Sequence, residues 1–235
     1  MSEGFSAFET SAGIAFKNKD LLKQAFLHRS YLNEHKGVDL EHNERLEFLG
    51  DAVLELVVTD FLFHRFTAEN EGDLTAYRSA LVNTITLSSV AAGLKMGDYL
   101  LLSKGEAKDM GRARQYILAN TYEALVGAIY LDQGYDAARD FIAKTVLPLT
   151  EEIVEKRLWQ DHKSRFQEQA QEKVGLTPSY QTLREHGPDH DKHFVVGVFL
   201  GSELAAEGDG KSKQEAEQEA ARHALINKSW DKEEV

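Results

Sequence analysis

Three carboxylates fall on one edge of what the sequence predicts as a single long helix, Glu41 to Phe66. At about 100° per residue, Glu44, Glu47 and Asp51 lie within roughly 60° of one another. Leu46, Leu49, Val53, Leu56 and Val57 cover a separate arc that reads as the core face. A second predicted helix, Ile117 to Leu131, puts Asn120 and Glu123 on one side. Gly127 stands beside them, where it would let a neighbouring helix approach closely. Such an oxygen-rich set suits a hard divalent cation, and Mg²⁺ takes a few carboxylates while keeping several waters. An ion held there can activate a water and neutralise charge on a phosphate during in-line displacement. Spacing alone also allows a solvated helix face, because acids at i, i+3 are common. Phe48 adds a different signal. It lies beside the carboxylate edge rather than on the core arc, as an aromatic ring at a partner surface would.

The elements that must hold these residues divide the chain in two. From about Gly13 to Glu155, apolar residues recur at three- and four-residue spacing, as in Leu118, Tyr122, Leu125 and Ile129. Breaks fall at Gly37, Gly72, Gly97, Gly105, Gly111 and Gly134, and the only proline in this part is Pro148. An all-α domain over 5–155 follows. A polar hinge is expected between Glu151 and Asp161, with the linker at 156–160. Residues 161–229 then read as a small α+β domain of helix, three antiparallel strands and helix. The helices are Ser164–Val174, stopped by Gly175, and about Ser212–Asn227, entered through Gly208-Asp209-Gly210. The strands are Ser179–Leu183, His193–Leu200 and Glu203–Ala206, with Gly201-Ser202 as the tight turn. No internal repeat or low-complexity tract interrupts this order.

Composition limits the function classes. Of 235 residues, 42% are apolar and 28% charged, as in a globular protein. The absence of cysteine excludes disulfides, thiolate zinc sites and cysteine nucleophiles, and is compatible with a cytoplasmic location. No apolar run reaches eighteen residues, so no membrane span is expected. Met1 to Thr10 lacks the basic start and apolar core of a secretory signal. The net charge of -12 argues, as a bulk figure, against a nucleic-acid partner.

Local motifs overturn that bulk figure. Glu41-His42-Asn43-Glu44-Arg45-Leu46-Glu47-Phe48-Leu49-Gly50-Asp51-Ala52-Val53 resembles the signature of the ribonuclease III family. Ile117-Leu118-Ala119-Asn120-Thr121-Tyr122-Glu123-Ala124-Leu125-Val126-Gly127-Ala128 resembles its second acidic motif. His28-Arg29-Ser30-Tyr31, Glu71-Gly72-Asp73-Leu74-Thr75 with Arg78, and Lys104-Gly105-Glu106 also fit, in the expected order. The resemblance runs from about Gly13 to Asn227. It implies a homodimer of helical domains with an acidic valley between subunits, cutting double-stranded RNA with Mg²⁺, for which Mn²⁺ can substitute. Glu47 and Glu123 would ligate the metal, with Glu44 and Asp51 beside them holding water around the ion or orienting the RNA backbone. Phe48 would enter a pocket on the other subunit. Each subunit would cut one strand, leaving 5′-phosphate and 3′-hydroxyl ends with a short 3′ overhang. Ribosomal and messenger RNA processing are the family's tasks.

One position departs from the pattern, which usually has aspartate where this chain has Asn120. An amide oxygen can coordinate Mg²⁺ but brings no charge. The alternative reading that this motivates is a duplex-RNA-binding protein with weak or no cleavage.

The last seventy residues resemble a double-stranded RNA-binding domain in three segments. These are Lys163-Ser164-Arg165-Phe166-Gln167-Glu168, Gly187-Pro188-Asp189-His190, and Gly208-Asp209-Gly210-Lys211-Ser212-Lys213 followed by Ala216-Glu217. Such a module reads duplex shape across two minor grooves and the phosphates between them. The resemblance assigns Gln167, Glu168 and Gln171 to one minor groove and His190 to the next. Lys211, Ser212 and Lys213 would meet phosphates at a helix N-terminus, where amides and dipole favour anions. Taken singly, each of these residues also reads as ordinary solvated surface. From Asp161 to Lys228 there are nine basic and twelve acidic residues, and Gln214 stands where many relatives carry a second lysine. Modest, salt-sensitive RNA binding is therefore expected.

Overall fold

The computed structural model describes residues 2–108, 111–155, 159, 161–188 and 192–230. The chain forms two compact units, Met1–Trp159 and Gln160–Val235. Most of the expected linker, 156–158 and 160, lies outside the described residues, as does His190.

Among the described residues the first unit is helical: α1 Ser2–Ala12, α2 Lys19–Ala25, α3 Arg29–Glu34, α4 Glu44–Arg65, α5 Glu71–Val82, α6 Thr84–Gly93, α7 Arg112–Gln133, α8 Tyr135–Thr145 and α9 Thr150–Glu155. Among the described residues no helix is long and apolar enough to cross a membrane. The two 22-residue helices α4 and α7 form its centre. They cross where both chains lack a side chain. A Cβ on Gly50 would collide with the backbone carbonyl of Glu123, and one on Gly127 with that of Leu46. The contact expected from Gly127 is thus made, and Gly50 is its counterpart. Leu46, Val53, Leu54 and Val57 of α4 pack with Tyr122, Leu125, Val126 and Ile129 of α7 into one core.

Helix boundaries moved for physical reasons. Helix α4 begins at Glu44 rather than Glu41, because buried Asn43 is occupied in fixing the preceding segment. Its amide donates to the Ala25 carbonyl at 3.0 Å, and its backbone N–H donates to that of Leu27 at 2.9 Å. Gly72 does not break the chain but sits in the first turn of α5, which Asn70 caps by accepting from the Asp73 N–H. Gly134, at φ +88°, ends α7. Leu56, expected in the core, is 57% exposed. Docking through Gly50 turns the face of Gly50, Val53 and Val57 inward, and Leu56 lies about 120° around the helix from Gly50.

The second unit is α10 His162–Val174, β1 Ser179–His186, β2 His193–Leu200, β3 Glu203–Gly210 and α11 Lys213–Asn227. Its strands form one antiparallel sheet in the order β1-β2-β3. Phe166 and Ala170 of α10 meet Val198, Leu200 and Ala206 of the sheet and Ala220, Ala221 and Ala224 of α11. Gly175, at φ +68°, stops α10 as expected. Both outer strands run longer than their sequence signals. Exposed β1 continues past Leu183 through a bulge between Thr182 and Arg184. The segment Gly208-Asp209-Gly210 is strand rather than loop, since a Cβ on either glycine would strike α11 at Ala216 or Ala220.

Candidate active site

Side chains from α4 and α7 meet beside the glycine crossing. Glu44, Glu47 and Asn120 line one cleft of about 310 Å³ together with His28, Arg29, Asn43, Tyr116 and Ile117. Asp51 and Glu123 complete the group one turn further along each helix. Arg29 Nη1 reaches Glu44 Oε1 at 3.6 Å, so the rim carboxylate is partly balanced. His28 Nδ1 lies 2.8 Å from Ser30 Oγ at the start of α3, and burial holds its pKa below the usual imidazole value.

The electrostatics distinguish this group from a solvated face. Burial, then the charges of Asp51, Glu47 and Glu55, push the Glu123 carboxyl up to about 8. Burial also raises Glu47, with Glu44 and Asp51 adding to it, while a hydrogen bond from Asn120 opposes the rise. Without a cation, Glu123 therefore holds its proton near neutral pH. Carboxylates crowded in this way bind a divalent ion readily, because the ion replaces mutual repulsion with attraction. The donor set is all oxygen, which is the chemistry of a hard cation.

Sequence reading therefore picked residues that the fold does bring together: Glu44, Glu47, Asp51, Asn120 and Glu123. It missed Glu55, which sits four residues after Asp51 and was readable from that spacing. It also missed Arg29, His28 and Tyr116 as cleft walls. Phe48 is 82% exposed, and Leu56 and Phe63 (66%) are exposed on the same side of α4. With Ala52 and Thr59, these residues span about 80° of the helix. The carboxylate edge lies between this apolar stripe and the buried face.

In the second unit, Gln167, Glu168 and Gln171 are exposed on the side of α10 away from Phe166 and Ala170. Lys211 and Lys213 are exposed at the entrance to α11. Ser212 caps that helix by accepting from the Glu215 N–H at 3.2 Å, and the Lys211 N–H donates to Glu215 Oε2 at 2.9 Å. A carboxylate thus already stands at this helix start. Lys213 Nζ lies 5.7 Å from the centre of the Phe194 ring.

A helical unit with a carboxylate cleft, followed by a helix–sheet–helix module, defines a two-part class of protein, and comparison with known proteins identifies it. Residues 18–149 match the model of the "Ribonuclease-III-like" family, and residues 162–228 match the "Double-stranded RNA binding motif". The Ribonuclease 3 of Anoxybacillus flavithermus is 47% identical over 221 residues, covering 94% of this chain and 92% of the relative. That of Bdellovibrio bacteriovorus is 41% identical over 226 residues, covering 96% of each. A solved nuclease domain of ribonuclease III from Campylobacter jejuni, described as flexible in a region involved in dimer formation, superposes with a TM-score of 0.54. It is 40% identical and covers 59% of this chain and 93% of that one. The chain belongs to the ribonuclease III family.

Proposed function

We propose that this chain is an endonuclease that hydrolyses phosphodiester bonds of double-stranded RNA with the help of Mg²⁺ or Mn²⁺. The observation that carries the reading is the carboxylate group at the α4–α7 crossing, where Glu47 and Glu123 are half-buried and Glu123 is driven to about 8, in a chain whose other unit matches a duplex-RNA-binding motif. Glu47 and Glu123 would hold the ion, with the Asn120 amide oxygen as a neutral third donor. When bound, the ion supplies a Lewis acid at the scissile phosphate and lowers the pKa of the attacking water. Glu44, steadied by Arg29, and Asp51 orient water and the RNA backbone. The water oxygen forms a bond to phosphorus, and the bond to the 3′ oxygen breaks. That oxygen takes a proton, leaving 5′-phosphate and 3′-hydroxyl ends.

The apolar stripe of α4 supports a homodimer through this unit, with Phe48 inserted into the partner. The carboxylate edge adjoins that stripe, so dimerisation would place two sites along one interface. Gln167, Glu168, Gln171 and His190 would follow the minor grooves, and Lys211, Ser212 and Lys213 the phosphates. The catalytic and dimerisation domain would span 5–155 and the RNA-binding domain 161–229, joined by a linker at 156–160. Ribosomal and messenger RNA processing in the cytoplasm is the setting that this chemistry suits.

The direct test incubates the purified chain with a long RNA duplex and, separately, with single-stranded RNA, adding Mg²⁺ and then Mn²⁺. Discrete cutting of the duplex alone, abolished by chelator, is expected. An intact duplex with both metals would overturn the assignment in favour of a binding protein.

A further inference from the structure

The sheet of the second unit carries a separate set of ligand-type side chains, one from each strand. In β2, Val198 and Leu200 enter the core shared with α10 and α11. His193 has the opposite parity and therefore projects from the other face. His186 stands directly across from it on β1, and Asp209 stands across from Val195 on β3, on the same face. His193 Nδ1 lies 2.6 Å from Asp209 Oδ1, and His186 Nε2 lies 2.8 Å from Asp209 Oδ2. The two imidazole rings stack at 5.4 Å with 20° between their planes. One ligand atom from each of the three residues lies within 4.8 Å of the others.

We propose that His186, His193 and Asp209 form a site for a borderline transition-metal ion of the Zn²⁺ type, distinct from the carboxylate site of the first unit. Two imidazoles and one carboxylate make a donor set that Zn²⁺ favours and Mg²⁺ does not. The ladders between β1, β2 and β3 fix the three Cα positions in advance, so little ordering is left for the ion to impose. The fit also passes a test of size. Bonds of about 2.0–2.1 Å in tetrahedral geometry put neighbouring ligand atoms about 3.3 Å apart. The histidines touch different oxygens of Asp209, and the ligand atoms span no more than 4.8 Å, so gathering them around one ion takes side-chain shifts of about an ångström at a largely exposed site. Asp209 is held below the usual carboxylate range, first by the hydrogen bond with His193 and then by that with His186, so it presents an ionised oxygen. Three protein ligands leave a fourth position to solvent. An ion held here ties the ends of all three strands together, beside the β1–β2 connection.

The test uses the full chain, stripped of metal and kept in excess Mg²⁺ so that the carboxylate site is filled. Zn²⁺ is titrated by calorimetry, and Co²⁺ is followed by its visible absorption as a report on coordination. One equivalent of either ion per chain is expected. In His193→Ala and His186→Gln that equivalent should weaken by at least tenfold, since loss of an outer-shell partner alone costs about 10–100-fold. Glu123→Gln should retain it. His186→Gln keeps a hydrogen-bond donor toward Asp209, and circular dichroism of each variant checks that the module stays folded. Equal binding by the parent and both histidine variants, loss of the equivalent in Glu123→Gln, or no uptake by the parent below millimolar Zn²⁺ would each overturn the proposal.

Discussion

Along α4 and α7 the carboxylates of Glu47, Asp51, Glu55 and Glu123 crowd together, and among the described residues none is paired with a basic side chain. In the C-terminal unit acids are matched: Lys163 with Glu217, Lys192 with Glu185, Arg222 with Glu219, Lys228 with Glu203, and two histidines with Asp209. The pKa directions follow. Glu47 and Glu123 are raised, chiefly by burial and then by their neighbours, whereas hydrogen bonds from basic partners hold Glu185, Asp209 and Glu219 down. The first arrangement stores repulsion that a divalent cation can release. The second spends its charges locally, and exposed pairs of that kind contribute little stability. A chain of net charge -12 can therefore take RNA without a broadly basic surface, provided that an ion neutralises one unit and shape recognition dominates in the other.

The sharpest way to break this contrast is Glu123→Gln. Removing one member of a cooperating catalytic group should cut the cleavage rate on the order of a thousandfold or more, while duplex binding in a gel-shift assay stays near that of the parent. Comparable losses of binding and cutting would show that the two units do not divide the work. Phe48→Ala comes next. Truncating an aromatic ring buried in a partner costs about 3–5 kcal/mol, so dimer dissociation read by sedimentation should strengthen more than about a hundredfold. A parent chain that is monomeric at micromolar concentration removes the basis for this expectation.

Asn120→Asp tests the crowded site from the other side. It restores a unit charge near the ion and removes the hydrogen bond that eases Glu47. Initial rates at low Mg²⁺ should rise about tenfold or more, as roughly 1.4 kcal/mol of tighter binding requires. No gain at any Mg²⁺ concentration would mean that Asn120 does not act through the ion.

A pH series sharpens the electrostatic reading. The Glu123 carboxyl is raised from 4.5 to about 8 on folding. Its contribution to stability is therefore fully present below pH 4.5 and is lost as pH climbs through 8. The slope is at most about 1.4 kcal/mol per unit for one proton, and partial exposure reduces it. In chelator, the melting temperature of the parent should fall from pH 5 to pH 9 more steeply than that of Glu123→Gln, which lacks this group. Parallel curves would contradict the crowding. The smallest effect is expected in the C-terminal unit. Lys213→Gln should lower the salt slope of duplex affinity by about one, and an unchanged slope would remove this lysine from the phosphate contacts.

Local sequence patterns carried far in this protein. The i, i+3 and i+4 spacings put Glu44, Glu47 and Asp51 on one edge, set Phe48 off the core arc, and marked Gly127 as a point of close approach. His193–Leu200 and Gly175 were legible because apolar strand residues and a left-handed helix end leave local signatures. Glu55 was equally local and was overlooked. The ends of β1 and β3 were not legible, because what extends them is pairing to β2, and for β3 also the glycine contact with α11.

Residue type and spacing by themselves determined the two-part order, the oxygen chemistry of α4 and α7, and the family resemblance, since all of these depend on neighbours within a few turns of chain. Only tertiary structure decided that Gly50 meets the backbone of Glu123, which turns Leu56 outward and half-buries Glu123 among other carboxylates, so that its carboxyl is pushed up to about 8. It alone brought His186, His193 and Asp209 onto one face from three strands. Desolvation and charge–charge energies depend on distances through space, and residues far apart along the chain acquire those distances only when the helices and strands pack.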